Sequence, residues 1–241
     1  MYKYIFFALF SLLMHPLFSQ SFSSSQTTTS YAQPSLNLKD AFGRILPASG
    51  AGISGTPYVF DQFCLGKVIF SNGVEFEDSS LNYSYFDNNL YFTKGNQLFL
   101  VNYQAKSFVL NGVDKENNKV SKQFMSLYPS IETNTSSTFY EILANASVFQ
   151  LLKHAQNRIK EATVFSGPPI KEYVLDNFYY IYDKVDKKML SIGNTLSLKS
   201  IKKTLPNYAA QIDAIINANK LNLKKEEDMI QLLEQLKISS N

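Results

Sequence analysis

From Tyr58 to Ile192 the chain repeats one pattern: a short run of aliphatic, β-branched and aromatic residues at period two, then a polar turn. Such a pattern leaves few folds open. Strands joined by turns of about two to five residues can only lie antiparallel to their neighbours. The clearest instance is Lys67-Val68-Ile69-Phe70 facing Val74-Glu75-Phe76 across Ser71-Asn72-Gly73, because Asn-Gly supplies the positive backbone angles that a tight hairpin needs. Leu81–Phe86 and Leu90–Thr93 follow around Asp87-Asn88-Asn89, and Gln97–Val101 around Lys94-Gly95-Asn96. Lys106–Leu110 then ends at a second Asn-Gly, Asn111-Gly112. Lys122–Tyr128, Thr138–Ala144, Asn145–His154, Lys171–Tyr182 and Met189–Ile192 continue the series, with the turn Asp183–Lys188 before the last. Fifteen Tyr and 19 Phe, with no Trp, suit pleated surfaces on which a ring is buried and a hydroxyl finds a partner.

At Ser197 the texture changes to a helical one. Ser197 is placed to cap a turn bearing Leu198, Ile201 and Leu205; Pro206 stops it and opens another helix carrying Tyr208, Ile212, Ile215 and Ile216. A further helix over about 224–237 has Glu226, Glu227 and Asp228 in its first turn, where the dipole favours anions. Its Met229, Leu232, Leu233 and Leu236 form one stripe. The expected fold is therefore α+β: an antiparallel, twisted meander of about eight to eleven strands, at most half-barrel in curvature, with a C-terminal helical hairpin packed on it.

The N-terminus reads as an address. Lys3 precedes Ile5–Met14, about ten apolar-dominated residues, which is the length of a signal-peptide core and half that of a spanning helix. Small residues then place cleavage near Ser19, Gln20 and Ser21. Residues 21–56 are polar, then Gly- and Ser-rich, and read as a tether before a β domain over 57–195 and the helical part over 196–241. No later run is long enough to cross a bilayer.

Export constrains chemistry as well as place. Cys64 is the single cysteine, so no internal disulfide exists and stability must come from packing. Removal of residues 1–20 takes Lys3 and His15, leaving 22 Lys and Arg against 20 Asp and Glu, with His154 the remaining histidine. Near neutrality argues against nucleic acid as a partner. One His and one Cys exclude zinc sites built from several of them, and no Gly-x-Ser-x-Gly elbow supports a triad around His154. No phosphate loop occurs; Gly50-Ala51-Gly52-Ile53-Ser54-Gly55 precedes a strand rather than a helix. No cofactor, metal or catalytic residue is assigned.

Weaker signals stand beside these. Glu75, Glu77, Asp78, Glu172, Asp176, Asp183 and Asp186 are candidates for a carboxylate pair, Glu75 with Asp176 above all. Lys184, Lys187, Lys188, Lys199, Lys202 and Lys203 gather near the helical tail, where they read as a solvated face or a patch for anionic lipid or glycan. Tyr83, Tyr85, Phe92 and Tyr180 are candidates for stacking a sugar or an acyl chain. Asn82, Asn134 and Asn145 begin N-glycosylation acceptor triplets.

With Gly55-Thr56-Pro57-Tyr58-Val59-Phe60-Asp61, Gly66-Lys67-Val68, Leu81-Asn82-Tyr83, Leu196-Ser197-Leu198-Lys199-Ser200-Ile201 and Asn219-Lys220-Leu221-Asn222-Leu223-Lys224-Lys225-Glu226-Glu227-Asp228, the chain resembles a loose family of exported Gram-negative bacterial proteins of unknown function. The resemblance implies a place in the periplasm or on the outer surface, and no site residues. The function expected is a non-catalytic envelope module binding a protein, glycan or lipid. A carboxylate-based hydrolase and a periplasmic lipid carrier with a half-open barrel are the alternatives.

Overall fold

The structure, a computed structural model, describes residues 38–39, 45–46, 52–95, 97–101, 105–163 and 169–237. The signal segment with Ser19, Gln20 and Ser21, and most of the expected tether, lie outside the described residues.

Two short strands, β1 (Leu38–Lys39) and β2 (Ile45–Leu46), pair with each other. The main sheet has 11 strands. They are β3 (Ile53–Ser54), β4 (Cys64–Phe70), β5 (Glu75–Ser84), β6 (Asn89–Lys94), β7 (Gln97–Leu100), β8 (Ala105–Val113), β9 (Lys119–Met125), β10 (Tyr140–Asn145), β11 (Phe149–Ala162), β12 (Ile170–Asp183) and β13 (Lys188–Gly193). Their spatial order is β13-β12-β11-β10-β9-β8-β4-β5-β6-β7, antiparallel throughout, with β3 added parallel to β12. The sheet ends in two edges, β13 and β7, and does not close into a barrel.

The meander expected from the turns is interrupted once: β8 lies beside β4 and not beside β7. This single departure forces the sheet to coil. Leu100 pairs with Tyr91 and Tyr91 with Asn82, which places Leu100 just beyond the level of Cys64, whereas Ala105 pairs with Phe70 at the other end of β4. On a flat sheet those two residues would stand about 30 Å apart, four strand spacings sideways and some six residues along. The intervening chain reaches only about 17 Å. The difference is made up by curvature, and a bulge between Gly66 and Val68 bends β4 and β5 at the required place.

Other departures have local causes. Parts of Val74–Phe76 and Leu81–Phe86, read as separate strands, are joined in the continuous β5 (Glu75–Ser84), because the bulge keeps the ladder going through the charged stretch Glu77-Asp78. Asn111-Gly112 is not a turn: β8 runs through it, and the chain reverses at Asp114–Asn118, where Asp114 Oδ1 accepts the Asn118 N–H at 2.7 Å. Gly112 is there for space, since a Cβ would come within 2.7 Å of the Phe60 ring. Folded structure also begins before Tyr58, with Ile53–Ser54 on the edge of β12.

The C-terminal helices follow the reading of the sequence: α1 (Leu198–Thr204), a 3-10 turn Pro206–Tyr208, α2 (Ala209–Asn219) and α3 (Glu226–Gln235). Ser197 caps α1 by accepting the Ser200 N–H at 3.1 Å, and Ser200 Oγ accepts the Ser197 N–H in return. Met229, Leu232, Leu233 and Leu236 are fully buried against Phe149, Leu151 and Ile181. The opposite face carries Tyr140, Leu152, Tyr180 and Met189, covered by Tyr128 and Ile131 of the 126–138 loop. A third core fills the coil, with Tyr83 in ring contact with Phe108, Phe124 and Phe139.

Candidate functional site

The coil that buries Tyr83 stays open at its other end. Inward-facing Val68 and Phe70 of β4 and Phe76, Ser79 and Leu81 of β5 form one wall of a cleft. Phe92 of β6, with Leu100 and Val101, forms the other, and Ser71, Asn72 and Val74 of the hairpin tip stand at the mouth. Its volume is about 680 Å³, within the range of roughly 300–1,000 Å³ that holds small ligands. Val68 and Leu81 make a buried floor, while Val74 and Phe76 are 45% and 54% exposed. Phe76 meets Phe70 edge to face at 5.8 Å, and Phe92 stacks on Phe99 at 5.1 Å. The sequence folds this way locally because Gly73, at φ +83°, turns the β4–β5 hairpin tightly, and the bulge swings Phe76 back to the face of Val68.

Among the described residues the lining carries no charge. Its polar members are Ser71, Asn72 and Ser79. Asn72 Oδ1 accepts the Val74 N–H at 3.0 Å, and Ser79 Oγ donates to the Glu77 carbonyl at 3.4 Å.

The carboxylates singled out in the sequence do not converge. Glu75 and Glu77 both pair with Lys67, at 2.6 and 2.7 Å, on the outer face of the first hairpin. The hydrogen bonds that Lys67 donates to these two acids raise its pKa above the ordinary value. Asp176 pairs with Arg158 at 2.7 Å on β12, separated from β5 by five intervening strands of the sheet. Glu172 stands near Lys160, and Asp183 Oδ1 accepts the N–H groups of Val185 and Asp186 in its own turn. The side chain of Asp78 lies outside the described residues. Among the described residues no three His, Cys, Asp or Glu side chains gather as a metal site.

His154 is buried beside Tyr140, with Nδ1 3.3 Å from the Phe139 carbonyl. Burial holds its pKa below the ordinary 6.5, which favours the neutral ring. Cys64 is half-buried, donates to the Leu81 carbonyl, and has its thiol pKa pushed up by burial. Neither is poised to react. Of the aromatics proposed for stacking, Tyr83, Tyr85 and Tyr180 are buried in the cores, and Phe92 alone reaches a cavity. Asn82 is likewise sealed in, giving its amide to the carbonyls of Phe60 and Gln62, and Asn134 gives its own to the Tyr180 hydroxyl. The lysines near the helical tail are partly spent: Lys188 pairs with Asp186, Lys202 with Asp213, and Lys184 donates to the Ala146 carbonyl.

One polar cluster has no counterpart in the reading of the sequence. Glu141 is buried between Lys122 at 2.6 Å and Lys153 at 3.4 Å; Lys153 also meets Glu226 of α3 at 3.1 Å, and Tyr179 donates to the same carboxylate at 2.6 Å. Four strands and a helix are joined by it. Only the register between β10 and β11, which sets Glu141 opposite Lys153, would have shown the pair in advance.

Comparison of the chain with protein-family models, curated proteins and solved structures gives no match. Among the described residues no helix is long and apolar enough to cross a membrane.

Proposed function

We propose that this protein is an exported, non-catalytic binding module of the cell envelope, and that the cleft between β4–β5 and β6–β7 is its binding site. The observation that carries the reading is the cleft itself: a cavity of about 680 Å³ walled by Phe70, Phe76, Leu81 and Phe92, with polar groups turned toward their own loops. Apolar surface left in contact with water is unfavourable by roughly 25 cal/mol per Å², so an apolar ligand that dries the walls gains that free energy. Export rests on Lys3 and the Ile5–Met14 run, and predicts a mature N-terminus near Ser19, Gln20 or Ser21.

A lipid carrier is the form of this module that the cleft favours. The helices do not roof the cavity: α1 packs on β13 and α3 on β10 and β11, in a filled core.

The test uses the mature chain and the uncharged dye Nile red. A fluorescence rise with saturable binding is expected, abolished in the double variant Val74→Asn, Phe76→Ser, whose sites are exposed enough to leave folding intact. Equal dye binding by both proteins would overturn the assignment of the cleft. Mass spectrometry of the exported protein checks the N-terminus, and a chain still beginning at Met1 would remove the export reading.

A further inference from the structure

We propose that the cleft takes a single-chain anionic amphiphile, an alkyl tail with a carboxylate-like head, and that Lys94 receives the head. This rests on the reading of the cleft as the binding site and specifies what fills it.

Period two along β6 puts Leu90, Phe92 and Lys94 on one face. Leu90 belongs to the core inside the coil and Phe92 lines the cleft, so Lys94 continues the same row outward to the strand end. Phe92 pairs with Leu81 across β5, and the same register carried two residues on brings Lys94 beside Ser79, a lining residue. Lys94 is exposed, and no described carboxylate pairs with it. Elsewhere in the sheet Lys67, Lys122, Lys153, Lys160, Lys171 and Lys188 each have an acidic partner, whereas Lys106 and Lys119, like Lys94, have none among the described residues. An uncharged slot with one unmatched cation in its row is complementary to an apolar chain that ends in a negative charge.

The walls also select against a peptide. An extended segment would carry N–H and C=O groups into the slot, and burying each without a partner is costly. Asn72 and Ser79 are already engaged with Val74 and Glu77. A methylene chain has no such groups, and each CH₂ removed from water adds to its affinity. The tail therefore supplies affinity and Lys94 sets the orientation and the choice of head.

Competition against bound Nile red by palmitate, 1-hexadecanol and hexadecyltrimethylammonium tests the proposal, since the three share a chain and differ in head charge. Palmitate is expected to compete at about fivefold lower concentration than the alcohol, the scale of one exposed ion pair, and the cation most weakly. Lys94→Glu should reverse the order of palmitate and the cation. If the dye binds but the three compete equally, or the reversal fails, the assignment of Lys94 is wrong while the cleft stands. If the dye does not bind at all, both fall.

Discussion

The two ends of this sheet treat their apolar faces in opposite ways. Over β10–β13 the face is covered by α1–α3 and filled: Ile201, Ile212, Met229, Leu232, Leu233 and Leu236 are fully buried. Over β4–β7 the covering is the sheet itself, coiled back by the short link from β7 to β8, and the coil leaves a cleft with Val74 and Phe76 in solvent. Helices are amphipathic rods that slide until they fill the space beneath them. A coiled sheet is held by its ladder and cannot do so. Stability is therefore expected to concentrate at the helical end and ligand binding at the coiled end.

The largest effect should separate them directly. Leu232→Ala opens a cavity in the filled core and is expected to lower stability by about 3–4 kcal/mol, measured by urea unfolding. Phe76→Ser, at a position 54% exposed, should change stability by about 0.5 kcal/mol or less and yet weaken Nile red binding. Comparable losses of stability from both would mean that the cleft wall is as well packed as the helical end.

Next comes the seam between the two ends. Lys153→Ala removes one of the two cations of buried Glu141 and the partner of Glu226. A full break of a buried pair costs about 3–5 kcal/mol; with Lys122 still 2.6 Å from Glu141, about 2 kcal/mol is expected. Adding Glu141→Gln should restore part of it, because the buried charge is gone. A double variant no better than Lys153→Ala alone would show that the cluster acts by packing and not by charge.

The same contrast explains what could be read from the chain alone. The hairpin at Asn72-Gly73, the capping of α1 by Ser197 and the stripe of α3 are local patterns, and each stands where the sequence places it. The strand order is not local. It depends on β8 returning to β4, for which Asn111-Gly112 gave a misleading turn signal while Gly112 serves the Phe60 ring. Burial of Tyr83 and Tyr85 follows from the same coil, since a flat meander would have left one face of β5 wet. The cleft was legible only as Phe92, one aromatic among four, because its walls come from strands whose proximity the turns do not specify.

Loss of the α1 cap is a smaller test. Ser197→Ala deletes the acceptor of the Ser200 N–H and is expected to cost about 1 kcal/mol, with cleft binding of Nile red unaltered. A change in dye affinity would couple the two ends, contrary to the division drawn above.

The smallest effect concerns pH. His154 packs against Tyr140 with its ring tilted, the Tyr140 hydroxyl being pushed up to about 12 chiefly by burial, and its Nδ1 faces the Phe139 carbonyl. Burial lowers the folded pKa of His154 below 6.5, so the unfolded chain binds a proton more readily. The stabilisation due to the neutral imidazole is then complete above about pH 6.5 and is lost as pH falls from there toward the folded value. The slope from this one group cannot exceed about 1.4 kcal/mol per pH unit. In urea unfolding between pH 7.5 and 5.5, His154→Gln should flatten that slope whatever its effect on stability at pH 7.5. An unchanged slope would mean that the buried ring accepts its proton in place, and that the core beneath the 126–138 loop is wetter than the helical core on the other face of the same strands.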